Sequence, residues 1–179
     1  MKSILILSFL FLVTSKNLRY TADWDWNVVH TNLVNLHNTL RAKHKSPSLT
    51  KSDEVAKFAK QATDHCVEVG GLEHTYHTYQ GTTIGQNLYL ASWAPSADDV
   101  VKSWYYNEEP HYDYDKGTSK DGEVTGHFTA MVWKSTKEVG CAYSTGKWGN
   151  YNGYYVACEY YPLGNMQGAY TTNVAKPSS

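Results

Sequence analysis

His74 or His77, Gln86, Glu108 and His127 are the side chains here whose types could do chemistry together. Two imidazoles and a carboxylate suffice to hold a divalent metal such as zinc with one position open, which makes His74, Glu108 and His127 candidate metal ligands. The same groups could equally bind a charged or hydroxylated ligand. His127 stands out by its setting: a glycine precedes it and Phe128, Met131, Val132 and Trp133 follow. An imidazole so placed has either a buried hydrogen bond to make or a site to serve, and we expect it to form one wall of a cleft. Nothing in the spacing forces the four positions together, and each could be an ordinary hydrogen-bonded loop or cap residue. No HExxH helix, CxxC pair, GxSxG turn or phosphate-binding glycine loop is present.

The elements that must position these residues follow from periodicity. Val29, Leu33, Leu36 and Leu40 form the stripe of an amphipathic helix, with Asn38, Arg41 and His44 on a different face and Pro47 as its stop. Ser52 caps a second helix striped by Val55, Phe58, Ala59, Ala62, Cys66 and Val69 and ended by Gly70-Gly71. Leu72–Thr83 reads as a loop, and Ile84–Leu90 as a strand. Ser96 and Asp99 form a capping box on a third helix, with Ala97, Val100, Val101, Trp104 and Tyr105 buried. After the polar loop Gly117–Gly126 come a helical turn at His127 and a hairpin, Val139–Ser144 with Tyr154–Tyr161, joined by a turn-like Ser144–Asn152. Helices, strand, helix and hairpin in this order predict an α+β fold with a small antiparallel sheet covered by helices.

The 179 residues support one core and no second domain. A net charge of -1, from 16 basic and 17 acidic side chains, gives no footprint for nucleic acid and no polybasic membrane anchor. Lys2 followed by the apolar Ile4–Val13 reads as a signal peptide over 1–15, too short to span a bilayer. A lead over 16–27, one domain over 28–174 and a frayed tail over 175–179 complete the division. We expect a secreted protein with no transmembrane segment, monomeric and, lacking an Asn-X-Ser/Thr sequon, without N-glycosylation. In an oxidising compartment Cys141 and Cys158, on adjacent strands of the hairpin, are expected to pair, closing a loop worth about 3 kcal/mol in the chain-entropy model. Cys66 is left over and expected to be buried and inert. Fifteen tyrosines fit a packed, partly wet sheet or a ligand groove.

Several ordered motifs carry a family resemblance. Gly126–Lys134 (GHFTAMVWK), Val139-Gly140-Cys141, Tyr155–Tyr160 (YVACEY) with Pro162 and Gly164-Asn165, Leu36–His44 and Ile84–Leu88 together resemble the CAP superfamily of cysteine-rich secretory, venom-antigen and pathogenesis-related class 1 proteins. The resemblance runs from about Val28 to Val174. It implies an α-β-α sandwich around a cleft lined by two histidines and two glutamates. By motif these fall at His74 (or His77), Glu108 (or Glu109, because of an extra residue after Trp104) and His127. The second glutamate position holds Gln86, and an amide is no general base and a weaker metal ligand than a carboxylate. Glu159 departs from the neutral residue often found after the second hairpin cysteine. Cys141 and Cys158 match a family disulfide, whereas Cys66 lacks the family's partner for it.

The resemblance therefore implies a secreted, non-catalytic binding module for a sterol or fatty-acid ligand, or a defence or host-interaction role. A divalent metal such as zinc in the cleft is possible in kind and not required. A metal-dependent peptidase using His74, Glu108 and His127 is the competing class, and a ligand for an extracellular protein partner is the third.

Overall fold

The computed structural model describes residues 24–178, so the expected signal peptide and most of the lead lie outside the described residues. In chain order the elements are α1 (Trp26–Lys43), β1 (Thr50–Lys51), α2 (Asp53–Val69), the short hairpin β2 (Thr78–Tyr79) and β3 (Thr82–Thr83), and β4 (Gly85–Ala91). α3 (Ala97–Val101) follows and runs on through a π-helical turn, Lys102–Tyr106. Then come β5 (Tyr112–Asp113), β6 (Thr118–Ser119), α4 (Gly126–Val132), β7 (Glu138–Trp148), β8 (Tyr151–Tyr161) and α5 (Tyr170–Asn173).

The central sheet has the order β1-β7-β8-β4. Its pairings are antiparallel except that β1 lies parallel to β7, two residues long, a departure from the all-antiparallel expectation. Strand side chains alternate between faces, and here both faces are covered. Val139, Cys141, Val156, Cys158 and Tyr160 pack beneath α1, α3 and α4 with Leu33, Leu40, Val101, Trp104 and Met131. Ala142, Tyr155, Ala157 and Leu88 pack on the other face against Ala59, Ala62 and Cys66 of α2. The result is the expected α-β-α sandwich.

Cys141 and Cys158 are directly opposed in the β7–β8 register, with Cα atoms 4.1 Å apart, and form the disulfide. Cys66 is free and buried on the α2 side, where burial pushes its thiol pKa up. Both expected helix caps are present, Ser52 on α2 and the Ser96–Asp99 box on α3.

Other expectations are corrected. Ser144–Asn152 is mostly strand: pairing continues to Trp148↔Tyr151 and leaves Gly149-Asn150 as a two-residue turn, with Gly149 at φ +56°. The polar side chains there suit a ribbon that outruns the helices covering the sheet. Val69 is exposed, because α2 ends there in a left-handed Gly70 just beyond the edge of the core. α1 ends before Pro47 is reached, at cap His44, and Lys45 turns the chain away at φ +56°. Arg41 and His44, the polar face of α1, are fully buried because backbone carbonyls and a tyrosine satisfy them. The tail is docked, not frayed, through Ser178: His44 donates to the Ala175 carbonyl at 2.6 Å and Ser178 N–H to that of Lys43 at 2.8 Å. Trp24 of the lead packs edge-on against Tyr143 and Tyr154, so the core begins earlier than residue 28.

Candidate functional site

His127 sits in the first turn of α4, where helix N–H groups have no intrahelical partner. Thr125, the residue at the cap position, makes no side-chain bond; Glu108 does the capping from outside. One carboxylate oxygen accepts the Phe128 backbone N–H at 3.0 Å and the other accepts from His127 Nδ1 at 2.5 Å. The π-helical turn Lys102–Tyr106 absorbs the extra residue after Trp104 and thereby delivers Glu108, not Glu109, to His127. Glu109 instead accepts from the Tyr114 hydroxyl. Trp104 stacks on the His127 ring, with planes 9° apart. Because Nδ1 donates, the neutral form of this imidazole carries its lone pair on Nε2.

The other candidates gather at the start of β4. Gln86 Oε1 accepts from His74 Nδ1 at 2.7 Å and from the Thr75 backbone N–H at 3.2 Å. Gln86 Nε2 lies 2.8 Å from Thr75 Oγ1 and donates to Glu159 Oε1 at 2.7 Å. The alternative candidate, His77, takes a different partner. In space its Nδ1 is 3.3 Å from Glu159 Oε1, and the ring packs against Phe58.

The structure thus yields two pairs, His74–Gln86 and Glu108–His127. Asn87 joins them, since it follows Gln86 on β4 and donates to the His127 carbonyl at 3.1 Å. Its amide also donates to the Tyr160 hydroxyl at 3.1 Å, which bonds His37 Nε2 at 2.8 Å, a buried chain that steadies the floor of the site. The expected metal triad is not assembled: among the described residues no three His, Cys, Asp or Glu side chains are grouped to hold a metal ion. Glu108 stands behind His127 rather than beside it as a ligand. What the arrangement presents is two imidazoles, each with Nδ1 engaged and Nε2 left for a ligand.

Glu159 is the member that sequence reasoning left without a role. The β4–β8 register places it opposite Gln86, and only that register could have revealed it. Burial pushes its carboxyl from 4.5 up to about 8, with the Gln86 N–H opposing part of the shift. A carboxyl raised in the folded state contributes stability that is full below its unfolded value and is lost as pH rises through about 8. His30 and His37 act in the opposite sense. Burial lowers both from 6.5 to about 4, so their contribution is present above 6.5 and lost as pH falls through about 4. Stability should therefore peak at about pH 6.5 and decline towards pH 8. In Glu159→Gln the alkaline decline should vanish while the acid one stays, read as urea midpoints across the pH range. An unchanged alkaline limb would mean that Glu159 ionises normally.

Known proteins can now be set beside this geometry. The family model described as CAP, cysteine-rich secretory protein family, matches residues 34–160. Protein PRY2 of Saccharomyces cerevisiae is 40% identical over 148 residues, which are 80% of this chain and 40% of that protein. The chain therefore spans well under half of the yeast protein's length. The human Golgi-associated plant pathogenesis-related protein 1 is 31% identical over 150 residues, 83% of this chain and 93% of that protein. Among solved structures, the crystal structure of NaASP2 with Zn2+ superposes with a TM-score of 0.57 at 21% identity, covering 85% of this chain and 87% of that one.

Proposed function

This chain belongs to the CAP (cysteine-rich secretory protein) family, and from that membership we propose that it is an exported binding protein, without catalysis of its own, whose ligand is a sterol or fatty acid. One observation carries the non-catalytic reading. Gln86 stands where the resemblance expects a carboxylate, and its amide is committed at both ends, to His74 and Thr75 on one side and Glu159 on the other. An amide exchanges no proton at neutral pH, so Gln86 cannot supply the general base that a carboxylate at its position would. An apolar ligand is supported by exposed side chains close in sequence to the site residues: Leu72 and Tyr76 lie two positions either side of His74, and Tyr106 and Val124 two and three positions before Glu108 and His127. Export rests on the apolar leader read in the sequence. No helix among the described residues is long and apolar enough to cross a membrane.

Zinc suits the cleft in kind. His74 and His127 would hold it through Nε2, with Gln86 and Glu108 fixing the rings from behind, the arrangement that orients histidines around a metal. Bound there it would supply a Lewis acid. With two protein ligands its hold would be weak, and the binding role does not depend on it.

The purified chain is expected to bind labelled cholesterol or a labelled fatty acid saturably, with no change on chelation or in His127→Ala. Failure of both lipids to saturate would remove the proposal. The Glu108–His127 pair, a base with its orienting carboxylate, favours a second reading as a metal-dependent peptidase. Turnover of peptides that disappears in His127→Ala and on chelation would put that reading in its place.

A further inference from the structure

Glu159 is buried, 1% exposed, directly across from Gln86 on the neighbouring strand. The Gln86 amide could face His74 with either end. Oxygen forward, it accepts from Nδ1–H; nitrogen forward, it would donate and force the His74 proton onto Nε2. Two contacts decide the orientation. The Thr75 backbone N–H can only donate, and it meets Oε1 at 3.2 Å. The Thr75 backbone carbonyl can only accept, and it lies 3.5 Å from Nε2. With the amide so turned, Nε2 donates to Glu159 Oε1 at 2.7 Å, an oxygen that also lies 3.3 Å from His77 Nδ1. The Thr75 hydroxyl beside Nε2 can donate or accept and so decides nothing. The bond to Glu159 is the shortest that the amide nitrogen makes, and its acceptor is buried.

We propose that Glu159 is a positioning residue of the His74 half of the cleft: acting through Gln86, it fixes His74 as the Nδ1–H tautomer with the Nε2 lone pair open to a ligand. The carboxyl that the family resemblance expects on β4 has, in this chain, moved one strand across to β8, and it works on the imidazole through an intervening amide. A free neutral imidazole favours the Nε2–H form, so this tautomer is imposed by the surroundings. The inference rests on the reading of His74 as a cleft residue.

The test is the tautomer ratio of His74, read from its two ring-nitrogen shifts by 15N NMR at neutral pH on the full chain. Wild type should be predominantly Nδ1–H. Glu159→Met, similar in length but without an oxygen acceptor, should lower the Nδ1–H to Nε2–H ratio about fivefold, the weight of one net hydrogen bond. Glu159→Gln keeps an acceptor oxygen and should preserve the wild-type ratio. So should the swap Gln86→Glu with Glu159→Gln, which sets a carboxylate directly on His74. Glu159→Leu serves as a second acceptor-free variant should the methionine variant not fold. A wild type found as Nε2–H, or an unchanged ratio in a folded acceptor-free variant, overturns the proposal. Failure of the lipid titration would leave these ratios untouched, so the binding reading and this one fall separately.

Discussion

Arg41→Ala is expected to remove about 4 kcal/mol or more of stability, a large share of what a domain of this size has. Arg41 is fully buried, and among the described residues its guanidinium makes no ion pair with a carboxylate. It donates instead to four backbone carbonyls: Pro47 through Nε at 2.7 Å, Met131 and Trp133 through Nη1 at 2.9 and 2.8 Å, and Thr136 through Nη2 at 2.9 Å. Burial lowers its pKa to about 10, which leaves it charged at neutral pH. Alanine would strand all four acceptors away from water, and each such orphan costs about 1–3 kcal/mol. Lysine, with three donors on a point charge and no planar fork, should recover only part of the loss. Met131 and Trp133 end the helix that carries His127, so the same clamp that stabilises the fold also sets the pitch of the site. Urea midpoints followed by circular dichroism would measure this; a loss below about 1 kcal/mol would mean that water takes the arginine's place.

Gly140→Ala should cost about 3 kcal/mol or more, at the upper end for overpacking. A Cβ at Gly140 of β7 would lie 2.1 Å from the backbone nitrogen of Ala56 and 2.6 Å from the Ser52 carbonyl oxygen. Both belong to the first turn of α2, where Ala56 N–H makes its bond to Ser52. A flexible side chain could move aside, but the start of a long helix cannot, so α2 would have to lift from the sheet along much of its length. Further along the same face the contact differs at Gly146, where the atoms a Cβ would meet belong to the Val67 side chain. Gly146→Ala should therefore cost distinctly less than Gly140→Ala, compared by thermal midpoints. Equal losses would locate the strain in the strand rather than in the helix contact.

Much was legible in the residues themselves because it depends on neighbours in sequence. The helical stripes, the Ser52 and Ser96 caps and the alternation of β7 and β8 are local statements, made by side-chain periodicity and by the hydrogen bonds a capping hydroxyl or carboxylate can reach. Pairing of Cys141 with Cys158 was equally local once the two strands were read as a hairpin. Gln86 could be recognised as an amide in a carboxylate's place from the motif around it, and His127 as a ring with a purpose from its apolar flanks.

Other features depended on which strand lies beside which. Choosing Glu108 over Glu109 required the π-helical turn, one added residue whose effect on direction is visible only in three dimensions. Burial of Arg41 and His44 on what reads as a polar helix face required carbonyls from residues far along the chain. Glu159 gained its partners from the β4–β8 register, which sets residues 73 positions apart side by side. Local sequence determined the elements and the types of group available, since propensity and capping act over a few residues. Tertiary structure alone decided which groups meet, because a hydrogen bond between distant segments exists only once packing has brought both ends within 3 Å or so and excluded the water that would otherwise compete.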